Sequence, residues 1–179
     1  VRIRASLREV APEVWRRLVV PADFTLAELH HVLQAAFGWN DTHLHVFKAG
    51  GARYGLAHVD APADELDESR YGVGDVLGPG ATAQYAYDFG DSWVHELQVE
   101  AVERADPLVT YPVCTGGARA CPPEDCGGSS GYERLLQALA DPGHEEHVSL
   151  RRWVGGFFDP EGFDLNAVNR ELARRGLRG

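Results

Sequence analysis

The chain has 179 residues, a common length for one domain and enough to bury a core without disulfide or metal staples. Its hydrophobic content of 44% and charged content of 25% exclude a disordered or fibrous chain, and no apolar run approaches the ~20 residues of a membrane-spanning helix. The net charge of −10 disfavours non-specific DNA or RNA binding, which draws its affinity from cations placed on phosphates.

Three cysteines, all between Cys114 and Cys126, are an odd number for a secreted disulfide scaffold, so a cytoplasmic location is expected. Residues 2–8 alternate, with Ile3, Ala5 and Leu7 on one side and Arg2, Arg4, Ser6 and Arg8 on the other. That pattern predicts a half-buried strand rather than a secretory leader. Residues 14–20 form a second β-rich run after the Ala11-Pro12-Glu13 turn, and the two runs are expected to make a hairpin.

Thr25-Leu26-Ala27-Glu28 is a capping box opening a helix. Leu26, Leu29, Leu33, Ala36 and Phe37 recur on one face of it, and Gly38 ends it. A hairpin followed by a packed helix is a β-grasp-like start. Residues 43–47 look extended. Residues 50–82 read as a loop, with the acidic run of Asp60, Asp64, Glu65, Asp67 and Glu68 taken as solvated.

A second hairpin is predicted around Asp88-Phe89-Gly90-Asp91-Ser92-Trp93, with Tyr85 and Tyr87 before it and Leu97 and Val99 inward after it. Residues 107–131 read as an irregular packed connection. A helical C-terminal third follows. Its first helix is expected to start at a Ser130 capping box, its second to carry Leu150, Trp153 and Val154, and its third to start at Asp164. The expected architecture is one α+β domain over residues 1–179, with a mostly antiparallel sheet of two hairpins. Trp39, Trp93 and Trp153 are expected in the core.

Three constellations bear on chemistry. In Asp41-x-His43-x-His45, alternate side chains on a strand share one face, the geometry of a His-x-His metal chelate; a polar strand edge is the other reading. Cys114, Cys121 and Cys126 stand seven and five residues apart, unlike a zinc knuckle. Their loop can still bring Cys114 and Cys121 together with a His or carboxylate around zinc, or hold them as buried thiols. Asp88, Asp91, Trp93 and His95 form a polar and aromatic turn able to hold a ligand or surface partner, or to cap its own amides.

The chain resembles the plasmid pRiA4b ORF-3-like family, also labelled the passenger TnpR-like domain of the IS1096 element. The resemblance is carried by Val14-Trp15-Arg16-Arg17, Phe37-Gly38-Trp39, His43-Leu44-His45-x-Phe47 and Tyr87-Asp88-Phe89-Gly90-Asp91-Ser92-Trp93-x-His95. It continues through Cys114, Ala120-Cys121-Pro122-Pro123-Glu124-Asp125-Cys126-Gly127-Gly128 and Phe158-Asp159-Pro160. It implies an α+β fold and an association with mobile elements. A serine recombinase would need a nucleophilic Ser among Arg residues and a helix-turn-helix, and no segment supplies the latter.

The leading expectation is a non-enzymatic binding or protein-interaction domain, its partner a protein or small ligand, with no membrane and no strong nucleic-acid binding. The alternative is a metal-dependent hydrolase with zinc as the candidate cofactor, held by His43, His45, Cys114 and Cys121. A DNA-recombination accessory is the third reading.

Overall fold

The first two strands, β1 (Arg2–Leu7) and β2 (Trp15–Val19), pair antiparallel with Ile3 opposite Leu18 and Ala5 opposite Arg16. The computed structural model describes residues 1–57 and 62–176. Helix α1 (Leu26–Phe37) follows. Thr25 accepts the Glu28 amide, Glu28 returns to the Thr25 amide, and Gly38 closes the helix at φ +82°. That left-handed turn has no Cβ penalty only in glycine.

The chain then adds β3 (His45–Ala49), β4 (Ala52–Gly55), β5 (Glu65–Asp67), a 3-10 turn (Glu68–Arg70) and the short helix α2 (Val73–Val76). Strands β6 (Thr82–Tyr87), β7 (Trp93–Ala101) and β8 (Val113–Ala118) complete an eight-stranded sheet ordered β5-β4-β3-β6-β7-β1-β2-β8. All neighbours are antiparallel except β4 and β5, so the sheet is mixed.

The fold is α+β, but the sheet is larger than two hairpins. Three of its strands arise where the sequence reads as loop: β4 and β5 within residues 50–82, and β8 within residues 107–131. β4 and β5 are four and three residues long, too short to show a period. β8 carries Gly116 and Gly117, residues that β propensity disfavours. The Cβ that any other residue would bring to position 117 would lie 2.6 Å from the Phe163 ring, so glycine there lets the 163 loop close on the sheet.

One sheet face packs against α1. It presents Ile3, Ala5, Leu7, Leu18, Phe47, Tyr85, Tyr87, Trp93, Leu97 and Val99, all buried. The helix is buried around most of its girth, because α5 (Leu165–Arg174) and the 3-10 turn pack against it as well. α5 also seals the β8 edge: the Asn169 side chain donates to the Cys114 carbonyl at 2.9 Å and accepts the Cys114 amide at 2.8 Å. A carboxamide is a peptide group by another route, so it satisfies an edge strand as another strand would.

Helix α3 (Gly128–Ala140) has its N-cap at Gly127, three residues before the expected Ser130 cap, and no side chain caps it. Gly128 has φ +69°, and a Cβ there would meet the Asp91 carbonyl oxygen at 2.7 Å; glycine therefore lets this helix start against the β6–β7 turn. α4 (His147–Trp153) buries none of its residues, and Trp153 is 48% exposed, against expectation. Its spacing from Leu150 mimics a core stripe, but no described element covers it. No described helix is long and apolar enough to cross a membrane.

Candidate functional site

Two polar constellations meet at the end of the sheet where β3, β6 and β7 run into their turns. The inner one is buried except at Asp41, which is exposed. Helix α1 places His30 and Gln34 one turn apart, over the Tyr85 hydroxyl: His30 Nδ1 lies 2.7 Å from it, and Gln34 Nε2 donates to it at 3.0 Å. On the other side His30 Nε2 lies 2.7 Å from Asp41 Oδ1, and Gln34 Oε1 accepts the Asp41 amide at 2.9 Å.

Assigned from this network, the tyrosine hydroxyl donates to His30 Nδ1 and the His30 Nε2–H donates to Asp41. His45 stacks on His30 with ring centroids 3.5 Å apart and planes 4° from parallel, and its Nε2 meets both carboxylate oxygens of Glu68 at 2.9–3.0 Å. Burial pushes His30 down to about 2, with repulsion from His45 adding to it, and pushes the Tyr85 hydroxyl up. His95, fully buried beside Phe37 and Trp39, is pushed by burial down to about 3. The His30 and His95 rings are therefore neutral and the Tyr85 hydroxyl protonated; His30 and Tyr85 satisfy one another, whereas His45 Nδ1 and His95 Nε2 have no partner among the described residues. The Asp41–His30–Tyr85 line has the connectivity of a proton relay, but its terminal hydroxyl has no exposed surface.

The outer constellation is open. The 120–127 loop lies across the sheet end, anchored by the Trp39 indole donating to the Pro122 carbonyl at 3.0 Å and the Tyr87 hydroxyl donating to Glu124 at 2.6 Å. Asn40 and Thr42 also donate to Glu124. The loop brings Asp125 Oδ1 to 3.1 Å from His43 Nε2, and Asp88 Oδ2 lies 3.6 Å from the same nitrogen. Asp91 accepts the Gly127 amide at 3.1 Å. On the rim Leu44 and Phe89 are 49% and 54% exposed, and the backbones there are joined by the Asp88 amide and the Leu44 carbonyl.

The plasmid pRiA4b ORF-3-like protein family model matches residues 1–167. The chain belongs to this family. An uncharacterized protein, y4hQ, from Sinorhizobium fredii is 37% identical over 177 residues, which cover 96% of this chain and 90% of that protein. The crystal structure of a protein of unknown function, MM3350, from Methanosarcina mazei Go1 superposes with a TM-score of 0.84 at 36% identity. The match covers 92% of this chain and 94% of that one.

Several residues that carry the family resemblance here hold the frame. Arg16 is 4% exposed and pairs with no carboxylate among the described residues; it donates to the carbonyls of Trp15, Ala36, Ala118 and Arg119 at 2.8–2.9 Å, tying α1, β2 and β8 together. The Ala36 carbonyl belongs to the last turn of α1, where the helix dipole favours a cation. Trp93 and His95 are core residues. Asp88 Oδ1 caps its own turn through the Gly90 and Asp91 amides.

The expected metal residues do not act as a set. Asp41, His43 and His45 do not share one strand face, because β3 begins only at His45 and Asp41 sits in a left-handed turn at φ +60°. Asp41 turns to His30, His43 to Asp88 and Asp125, and His45 to Glu68. Cys114, Cys121 and Cys126 are free thiols, and burial raises all three, Cys126 to about 12. Among the described residues, no converging group of three metal donors includes a cysteine.

Glu68 is the plainest surprise. It lies in the acidic run read as solvated, yet it is 2% exposed and paired with His45. Asp60 of that run lies outside the described residues. His30 and Gln34 had a legible signal, being polar residues at i and i+4 inside the apolar stripe of α1. No short-range pattern pairs Glu68 with His45 or Asp125 with His43, since each pair meets only through long-range packing.

Proposed function

We propose that this chain is a non-enzymatic interaction domain. Its binding face is the turn end of the sheet, where Leu44 and Phe89 stand exposed within a rim of Asp91, Glu124 and Asp125. The observation that carries the reading is the exposed Leu44–Phe89 pair on a braced turn. Apolar side chains displayed next to polar groups on a rigid element suit recognition of a partner. The acidic rim favours a partner surface that is apolar with basic neighbours.

The state of the buried groups supports the same reading. His30, His95 and Tyr85 are held neutral, away from solvent, so they are poorly placed for acid–base chemistry on a substrate. Weak nucleic-acid binding follows from the pairing of the N-terminal arginines: Arg2, Arg4 and Arg17 meet Glu103, Glu13 and Glu100, and Arg16 is buried.

The test is photo-crosslinking in cells that naturally make the protein, with a benzophenone side chain in place of Phe89. A discrete adduct at position 89, lost with Leu44→Ser and missing from a control position at Gln98, is expected. Equal labelling at both positions, or none at 89, would refute the assignment of this face.

A further inference from the structure

His43 is the group that the packing of the 120–127 loop leaves unexplained. Its Nε2 is sealed from solvent and makes no hydrogen bond. Asp125 Oδ1, at 3.1 Å, is close enough for one but lies off the direction of a ring N–H. Asp88 faces the same nitrogen with a side chain nine-tenths buried. Its Oδ1 is committed to the Gly90 and Asp91 amides, while its Oδ2 has no hydrogen bond among the described residues and lies 3.6 Å from His43 Nε2. A sealed ring nitrogen short of a partner therefore faces a carboxylate oxygen that is not otherwise hydrogen-bonded among the described residues.

One donor atom from each of His43, Asp88 and Asp125 lies within 4.8 Å of the others. Nitrogen and oxygen ligands about 2.1 Å from zinc at the corners of a tetrahedron stand about 3.4 Å apart. The separations of 3.1 and 3.6 Å around His43 Nε2 bracket that edge. We propose that His43, Asp88 and Asp125 form a divalent-cation site, best suited to zinc. The imidazole selects against magnesium and calcium, which take oxygen ligands, and the two carboxylates balance the charge.

Asp125 is 71% exposed on its side chain, so the fourth position opens to water and the ion is exchangeable. The ion joins three stretches far apart in sequence: the approach to β3, the β6–β7 turn and the 120–127 loop. Asp88 and Asp125 both hold left-handed backbones, φ +55° and +58°, in the turns that present their carboxylates. This set shares only His43 with the one expected from sequence. It stands independently of the interaction reading, because it is read out by metal binding alone.

The experiment is calorimetric titration of zinc chloride into the chelator-treated full chain, with the melting temperature followed in parallel. One equivalent should bind and raise the melting temperature. His43→Asn and Asp125→Asn should each weaken binding by about tenfold or more, while Cys114→Ser and His31→Asn leave it unchanged. Asp125→Asn changes an exposed side chain, so it keeps the test open if an Asp88 variant fails to fold. Absence of zinc binding would overturn the proposal. So would binding that survives Asp125→Asn, or that disappears with Cys114→Ser or with His31→Asn, which removes the neighbouring His30–His31–Asp41 group.

Discussion

Removing one oxygen atom tests the buried network directly. Tyr85→Phe keeps the ring between His30, Phe47 and His95 and deletes only the hydroxyl. That hydroxyl has no exposed surface and serves two partners, Gln34 Nε2 at 3.0 Å and His30 Nδ1 at 2.7 Å. Both would remain buried, one as an unused donor and one as an unused acceptor. Leaving a buried polar group unpaired costs ~1–3 kcal/mol, so the variant should lose about 2–4 kcal/mol. Urea unfolding at neutral pH measures it, with the slope against denaturant checked for constancy. In a Gln34→Leu background the same change strands one group fewer, and the two losses should fall short of additivity by ~1 kcal/mol. A loss below ~0.5 kcal/mol with an unchanged slope would show that the hydroxyl is not the keystone of the network.

Acid should destabilise the fold through His30 and His95. Both stay neutral in the folded chain until about 2 and about 3, whereas in the unfolded chain they take up protons near 6.5. Stability from these groups is therefore full above 6.5 and is lost as the pH falls below it, by ~1 kcal/mol per pH unit for each ring. A denaturation midpoint unchanged between about pH 7.5 and about pH 5 would contradict this. Arg16→Met should cost ~3 kcal/mol or more, read as a fall in melting temperature, because it strands carbonyls on α1, β2 and β8. Arg16→Lys should recover little, since an ammonium cannot reproduce the planar fork. Iodide should quench only part of the tryptophan fluorescence: Trp39 and Trp93 are each 2% exposed, and Trp153→Phe should remove much of the accessible fraction.

Local chemistry is what the sequence determined by itself. The alternation of β1, the capping box and Gly38 stop of α1, and the inward Leu97 and Val99 of β7 each depend on residues within a few positions of one another, and a period of 2 or 3.6 records that directly. Tertiary structure decided the rest. β4, β5 and β8 are too short or too glycine-rich to declare themselves, and they are strands because neighbouring strands supply their hydrogen bonds. Trp153 sits at helical spacing from Leu150, yet no described element covers it. The partners of the histidines were beyond reach for the same reason: Glu68 meets His45 across 23 residues and Asp125 meets His43 across 82, and no short-range pattern encodes which carboxylate a folded loop carries to which ring.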